Sequence, residues 1–600
     1  MAQAEGRRRE SLWTPLAAAL PFAVFALLAL VSWNRWIEPY VDSGRELMVP
    51  WRVSQGERLY ADVEFHHGPL APFLGAASDR LFGRSLGARE ALAAAIALLH
   101  VAALALLANR MLTAGRAALA VSLAVAAAVF LRPGGWLFPF SFDAALAVAA
   151  LTWALELGAR RTRHSDVLAG ICLAAALLAR LEMGLAGVAV LALVHRGEPR
   201  RLRSLTLAPL GAATLGYAAV SAGIPLRTLE ADGWLRLIHP PEAFRNVYRA
   251  YAGLDRPELR LTELLLAAVV LAVVAAWLAA AAAASTRLSP ARGRGGRAIE
   301  AAAIAGLGLV AFLRLRPPAA LAESAALFPP LVRVVPLVVA VAAAWRLVLR
   351  ARGRSPRGPL AGVPDPVLWI AALFGLRLLL AAGYVGPYDA FFLPLPLLVM
   401  VVGIFGLADR AAGSLGPSAP RLAAAALGLF LVARVAALAD LYRRPGWSRV
   451  ETPAGPVVLR EPTAASTRLA LADLQGRLGP EATLAGFPET GFFNYVLGRR
   501  NPFRHEQYFP GHLEPGAESR FAAKFEERPP DVTLFANVLA VGEGARVFGE
   551  DYLETVDRAI RARTRAAASY GPGARQDARI GDPQFFVEIR LPAKAPRSSP

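Results

Sequence analysis

Between residues 13 and 440 the chain is built from apolar runs near 20 residues long, separated by short polar connections. About 20 apolar residues in a helix span a bilayer core of roughly 30 Å. About thirteen such segments can be drawn, near 13–33, 88–108, 115–131, 142–158, 166–180, 183–195, 204–222, 261–284, 299–313, 327–349, 366–383, 391–408 and 421–440. The fifth and sixth are short and read as a broken or re-entrant pair. After residue 440 the pattern changes. Apolar runs become short, and Pro and Gly punctuate them. VVLR, ATLAGF, DVTLFA and FFVEIRL predict strands, and the stretches near 463–478, 517–527 and 552–567 predict helices. The expected fold is an α-helical polytopic membrane protein, with a transmembrane domain over 1–440 and a small extracytoplasmic α/β domain over 441–600.

Composition sharpens this picture. Mean hydropathy is +0.42 and the net charge is +19. A basic soluble chain would suggest nucleic acid. Here the excess is arginine, clustered in alternate short connections such as Arg160, Arg161, Arg163 and Arg196, Arg200, Arg201, Arg203. That distribution follows the positive-inside rule, and no nucleic-acid partner is expected. With Arg7–Arg9 inside, the mixed, aromatic loops 34–87, 132–141, 223–260, 314–326 and 384–390 face outward. An odd number of spans puts the C-terminal domain out with them. Arg7–Arg9 and the long run Leu16–Val31 predict an anchored first span, not a cleaved signal peptide. The single cysteine, Cys172, excludes an intrachain disulfide and any multi-cysteine metal site.

Candidate chemistry gathers in Tyr40–Leu74, a polar and aromatic stretch among apolar spans. Asp42 lies just past the first span. Asp42-Ser43-Gly44 has helix N-cap chemistry, with Glu46 on the same face, and the following residues pattern as a short interfacial helix limited by Pro50. A second cluster holds Asp62, Glu64, His66 and His67. Adjacent side chains diverge on regular backbone, so one metal held by both histidines is not expected. A hydrogen-bonding or substrate-contacting role for one of them fits better.

Charged residues at membrane depth are costly, about 2.5–3.5 kcal/mol for an arginine on insertion scales. Arg180 and Glu182 sit in ALLARLEMGLAG, and Arg377 sits inside IAALFGLRLLLAAGY. Guanidinium groups bind phosphate oxygens in bidentate fashion, and Arg180 with Glu182 also reads as a structural ion pair. Arg346 reads as snorkelling to the interface and Arg434 lies within the last span. Tyr388 belongs to an outer aromatic belt before the twelfth span.

Together these residues resemble the C-class, lipid-dependent glycosyltransferases, the protein O-mannosyltransferase and aminoarabinose-transferase relatives of bacteria. The resemblance is carried by Asp42 in VDSGREL, by QGERLYADVEFHHGPLAPFLGAASDRLFG, and by ALLARLEMGLAG, and covers roughly residues 10–440. Ser43 stands where relatives often carry a second acid, and Arg180 where they often carry lysine. The resemblance implies a hexosyl- or pentosyltransferase of the bacterial inner membrane. Its donor is a polyprenyl-phosphate sugar and its acceptor an extracytoplasmic glycan, lipid or protein. Asp42 is then the expected general base, more basic if desolvated at the interface. Arg180 and Arg377 face the phosphate, and Asp62 or Glu64 orients the acceptor or holds a divalent cation. Glu182, His66, His67 and Tyr388 complete the expected substrate site. A non-catalytic envelope assembly protein and a lipid or polysaccharide transporter remain the alternatives, although no repeat of the transporter type is visible.

Overall fold

The computed structural model describes residues 2–40, 42–130, 142–238, 240–288, 293–314, 330–354, 358–380, 391–513, 516–538, 547–571 and 586–593. Tyr388 and the predicted outer loops 132–141 and 384–390 lie outside them.

A helix occupies each of the thirteen predicted apolar segments. Eight helices among the described residues are long and apolar enough to cross a membrane by length and composition, and Ala114–Val129 and Leu181–Val194 are shorter apolar helices. The first stretch of chain forms α1 (Ala2–Ser32), α2 (Ser43–Ser54), α3 (Leu70–Phe82), α4 (Leu86–Asn109) and α5 (Ala114–Ala124). Helix α6 (Phe142–Ala159), α7 (Arg163–Ala179) and α8 (Leu181–Val194) follow. Local chemistry sets the starts. Ser85 Oγ accepts the Ala88 N–H at 3.2 Å as the N-cap of α4. Thr162 and Ser165 cap the start of α7 reciprocally. The predicted broken pair is α7 and α8, separated only by Arg180 in extended conformation (φ −143°, ψ 109°).

The intramembrane arginines find partners. Arg434 is buried and donates to the Ala126 carbonyl at 3.0 Å, within the π-helical turn Val125–Val129 that continues α5. A π turn releases carbonyls from the regular ladder, which gives a buried cation an acceptor. Arg346 pairs with Asp365 at 2.7 Å.

The C-terminal part begins just after the helix Ser418–Arg443, at β1 (Trp447–Val450). β1 forms an antiparallel hairpin with β2 (Val457–Arg460). β3 (Leu484–Phe487), β4 (Val532–Ala536), β5 (Thr564–Tyr570) and β6 (Val587–Pro592) make a four-stranded sheet in the order β3-β4-β6-β5. β3 and β4 are parallel and the other pairs antiparallel. The four predicted strands are present. The third predicted helix is shorter, Glu554–Arg563, because the β-branched Thr564 opens β5 where a helix was expected to continue.

The segment after α1 docks directly on this domain. Val458 N–H donates to the Asn34 carbonyl at 2.7 Å, and Leu86 N–H to the Ala454 carbonyl at 2.8 Å. Helix α2 packs between α3 and the short helix Gly491–Leu497. Its apolar face was expected to lie on lipid. Protein covers it instead, and Leu47, Met48 and Val49 are fully buried. A Cβ added to Gly44 would sit 2.9 Å from the Phe492 nitrogen, so the two backbones touch. Only glycine permits that approach.

Candidate active site

Asp42 stands at the N-cap position of α2 with φ 54° and makes no capping bond. The left-handed conformation is tolerated by Asp and Asn better than by bulkier residues. It turns the carboxylate away from the helix terminus and toward the C-terminal domain. Gln507 Nε2 donates to Asp42 Oδ1 at 2.8 Å, and the Asp42 N–H donates to Glu489 Oε2 at 2.8 Å. Arg45, one turn on, donates to Gln507 Oε1 at 3.0 Å and pairs with Glu46 at 3.0 Å. Burial pushes the Glu46 carboxyl up to about 7, against the pull of Arg45. Burial works against the charge on Arg45, but the carboxylates of Glu46, Asp42, Glu489 and Asp143 outweigh it and raise its pKa.

A second layer lies at the ends of the broken helix pair. Arg180 Nε is 3.0 Å from Asp143 Oδ2, and its Nη2 donates to the His67 ring at 3.1 Å. Asp143 opens α6 and is fully buried. Burial, with Arg180 and Arg45 adding to it, holds the His67 pKa well below its usual range, so the neutral ring accepts from Arg180. The close approach is made by Gly68, whose N–H donates to the Ala179 carbonyl at 3.2 Å and where a Cβ would collide with the Leu178 carbonyl. Glu182, half-exposed, reaches Arg180 Nε at 3.4 Å. Tyr248, on the helix Glu242–Tyr251, has its hydroxyl pKa raised by burial, while the charges of Arg180 and Arg377 pull it the other way. Arg377 is exposed, with its guanidinium 4.8 Å from the centre of the Phe392 ring.

Glu64 and His66 belong to a third cluster. His66 Nε2 is 2.9 Å from Glu64 Oε1, His512 Nδ1 is 3.5 Å from the same oxygen, and Arg236 Nη1 is 3.3 Å away. His505 approaches the other Glu64 oxygen at 3.5 Å. Burial alone would raise Glu64; the imidazoles of His505 and His66 reverse this and hold it well below the carboxylate range. His66 is pushed down to about 4, chiefly by burial. The donor atoms of Glu64, His66 and His512 lie within 4.8 Å of one another, and those of Glu64, Asp232 and His505 do likewise. One ionised carboxylate with two neutral imidazoles is a donor set suited to a zinc-type ion.

The sequence candidates thus separate. Asp42 sits with Arg45 and Glu46; His67, Arg180 and Glu182 form the layer around Asp143; Glu64 and His66 form the third cluster. His66 and His67 diverge, as adjacent side chains should. Asp62 makes none of these contacts: it is exposed, and its carboxylate accepts the Arg58 N–H at 2.8 Å. Sequence reasoning did not pick out Arg45, Asp143, Arg236, Tyr248, Glu489, His505, Gln507 or His512. Asp143 carried a signal, since a carboxylate one residue into an apolar run needs a partner. Glu489 and Gln507 lie in GFPETGFFNYVLGRRNPFRHEQYFPG, a polar and aromatic stretch whose place beside Asp42 is set by tertiary folding alone.

These features define a polytopic α-helical membrane protein with a small C-terminal α/β domain and a buried, charged site where the two meet. No protein-family model matches the chain, and no curated protein does. Among solved structures it is similar to ArnT from Cupriavidus metallidurans bound to undecaprenyl phosphate, with 15% identity, 95% of this chain and 97% of that chain covered and a TM-score of 0.40. It is also similar to the oligosaccharyltransferase AglB from Archaeoglobus fulgidus in complex with an inhibitory peptide and a dolichol-phosphate, with 13% identity, 97% and 75% covered and a TM-score of 0.44.

Proposed function

We propose that this protein is a membrane glycosyltransferase that moves a hexosyl or pentosyl group from a polyprenyl-phosphate donor to an extracytoplasmic acceptor, with Asp42 as general base. The observation that carries the reading is a carboxylate at a helix N-cap position that does not cap. Its Oδ1 is held by Gln507, and no described residue bonds its Oδ2. Asp42 is about a quarter exposed, so an acceptor hydroxyl can reach it. The acceptor oxygen bonds to the sugar carbon as its proton passes to Asp42, and the bond from that carbon to the phosphate oxygen breaks. Charge grows on the departing phosphate. Arg45, Arg180 and Arg377 supply positive charge for it. Asp143 and His67 hold Arg180 in place. The motifs of the first outer segment support the same assignment.

In this reading residues 1–440 are the transferase domain in a bacterial inner membrane, with the N-terminus cytoplasmic, and residues 441–600 form an extracytoplasmic domain. The direct packing of α2 on the C-terminal domain supports a common side for both. A divalent cation fits Glu64, His66 and His512, where it would tie the first outer segment to the C-terminal domain. The experiment is mass spectrometry of cell-envelope glycans, glycolipids and glycoproteins from cells carrying the wild-type gene, the Asp42→Asn gene or a deletion. One sugar-modified species should depend on the wild-type gene alone. Identical envelopes in all three would overturn the proposal.

A further inference from the structure

We infer that the C-terminal domain completes the transfer site, with Glu489 and Gln507 acting as positioning residues that leave Oδ2 of Asp42 as the base atom. The inference rests on the reading of Asp42 as general base and goes beyond it by assigning the atom and the groups that select it.

Delivery of these residues begins with the sheet. β3 ends at Phe487, and two residues later Glu489 is fully buried beside α2. The helix Gly491–Leu497 then meets α2 backbone to backbone. A Cβ on Gly491 would sit 3.2 Å from the Gly44 carbonyl carbon, the counterpart of the contact that a Gly44 side chain would make. Two facing glycines fix the distance across the seam more tightly than flexible side chains would. A separate loop brings Gln507, also buried.

Gln507 is held in one orientation. Its oxygen accepts from Arg45 and its nitrogen donates to Asp42, so the amide cannot be reversed without losing both bonds. It occupies Oδ1. Glu489 holds the other side of the residue by accepting the Asp42 N–H. With the backbone and one oxygen fixed, only Oδ2 is left to take a proton.

An amide or a backbone carbonyl would accept one N–H without the desolvation penalty of a buried carboxyl. Glu489 is nevertheless ionisable, and its Oε1 is buried with no hydrogen-bond partner among the described residues. The charged groups facing it are Asp42 and Arg45 from the outer segment, with Gln507 beside them, and Arg45 is shared with Glu46 and Asp143. Burial first and Asp42 second push the Glu489 carboxyl up to about 8. While it keeps its proton it adds no second negative charge beside Asp42. Once ionised, it competes with Asp42 for the Gln507 amide N–H and loosens the clamp on Oδ1. In the transfer step Glu489 gains and loses nothing. The acceptor proton goes to Asp42, and the electron pair of the broken carbon–oxygen bond leaves on the phosphate.

The test uses the full-length protein in nanodiscs and has two arms. Infrared difference titration of wild type against Glu489→Gln should isolate one protonated-carboxyl band with a midpoint near 8. In an Asp42→Asn background the same difference should titrate lower, by roughly one pH unit, because a neighbouring charge is gone. Kinetics with polyprenyl-phosphate-linked hexoses and pentoses should show kcat falling roughly 10- to 100-fold in Gln507→Leu at nearly constant KM. Glu489→Leu should lose activity. Glu489→Gln, which keeps an acceptor for the Asp42 N–H, should recover part of it and flatten the alkaline limb of the pH profile. A band whose midpoint ignores Asp42, or a Gln507→Leu enzyme with wild-type kcat, overturns the inference. If wild type transfers no sugar at all, the glycosyltransferase reading fails, and the infrared coupling still decides whether Glu489 acts on Asp42.

Discussion

Arg180, the residue between α7 and α8, meets Asp143 at the start of α6 at 3.0 Å, with both side chains buried. The arginine that the sequence offers as a phosphate ligand is thus already half of an ion pair. Removing one partner of a buried pair strands the other charge, at about 3–5 kcal/mol, whereas replacing both can be nearly neutral. Arg180→Met should therefore destabilise strongly, and Arg180→Met with Asp143→Asn should recover most of the loss. Thermal unfolding of detergent-solubilised single and double variants measures this. Additive losses would mean that the two charges are not coupled.

Asp42→Asn is expected to abolish turnover while leaving the fold intact. Loss of a general base lowers rates by about 10²–10⁴-fold. Asparagine tolerates the positive φ of 54°, and its side-chain oxygen can still accept from Gln507. The unfolding temperature should stay within a few degrees of wild type. An Asp42→Asn variant that turns over normally would remove Asp42 from the mechanism.

How far this site was readable from the sequence follows from which forces act locally. Apolar runs near bilayer length placed the thirteen helical segments of the first 440 residues, because hydrocarbon demands internally satisfied backbone whatever the tertiary structure. The break at Arg180 was visible for the same reason, as a charge between two runs too short to cross alone. Asp42 could be picked out as a candidate because a polar segment right after an apolar span has few roles. Its surroundings were not legible. Glu489, Gln507 and His512 reach the site from more than 400 residues away in sequence, through the Gly44–Gly491 contact and the sheet that precedes it. The lipid-facing expectation for α2 failed for a related reason. An amphipathic pattern reports that one face is buried but does not say whether lipid or protein covers it.

Zinc should stabilise the protein if Glu64, His66 and His512 take it up. A ligand at about 100 times its Kd adds about 2.7 kcal/mol to the folded state. The expected result is a rise of several degrees in the unfolding temperature on adding zinc to chelator-treated protein. His512→Ala should lose that rise, since it removes the donor contributed by the C-terminal domain. No shift in wild type, or an equal shift in the variant, would argue that Arg236 and His505 alone balance Glu64.

The buried carboxyls give stability a defined pH dependence. Glu46 titrates at about 7 and Glu489 at about 8 in the folded chain, against 4.5 for an ordinary glutamate. Between these limits the folded state holds protons that the unfolded state has released. Stability contributed by their neutral forms is therefore lost as pH rises from about 4.5 to about 8. The buried neutral rings of His66 and His512 act in the opposite sense, losing stability as pH falls below 6.5. They are the same in wild type and variant, so they cancel in the difference. Glu46→Gln with Glu489→Gln should show a smaller fall in unfolding temperature between pH 6 and pH 9 than wild type does, because neither amide has a charge to desolvate. Parallel curves for the two proteins over that range would mean that neither carboxyl holds its proton in the folded state.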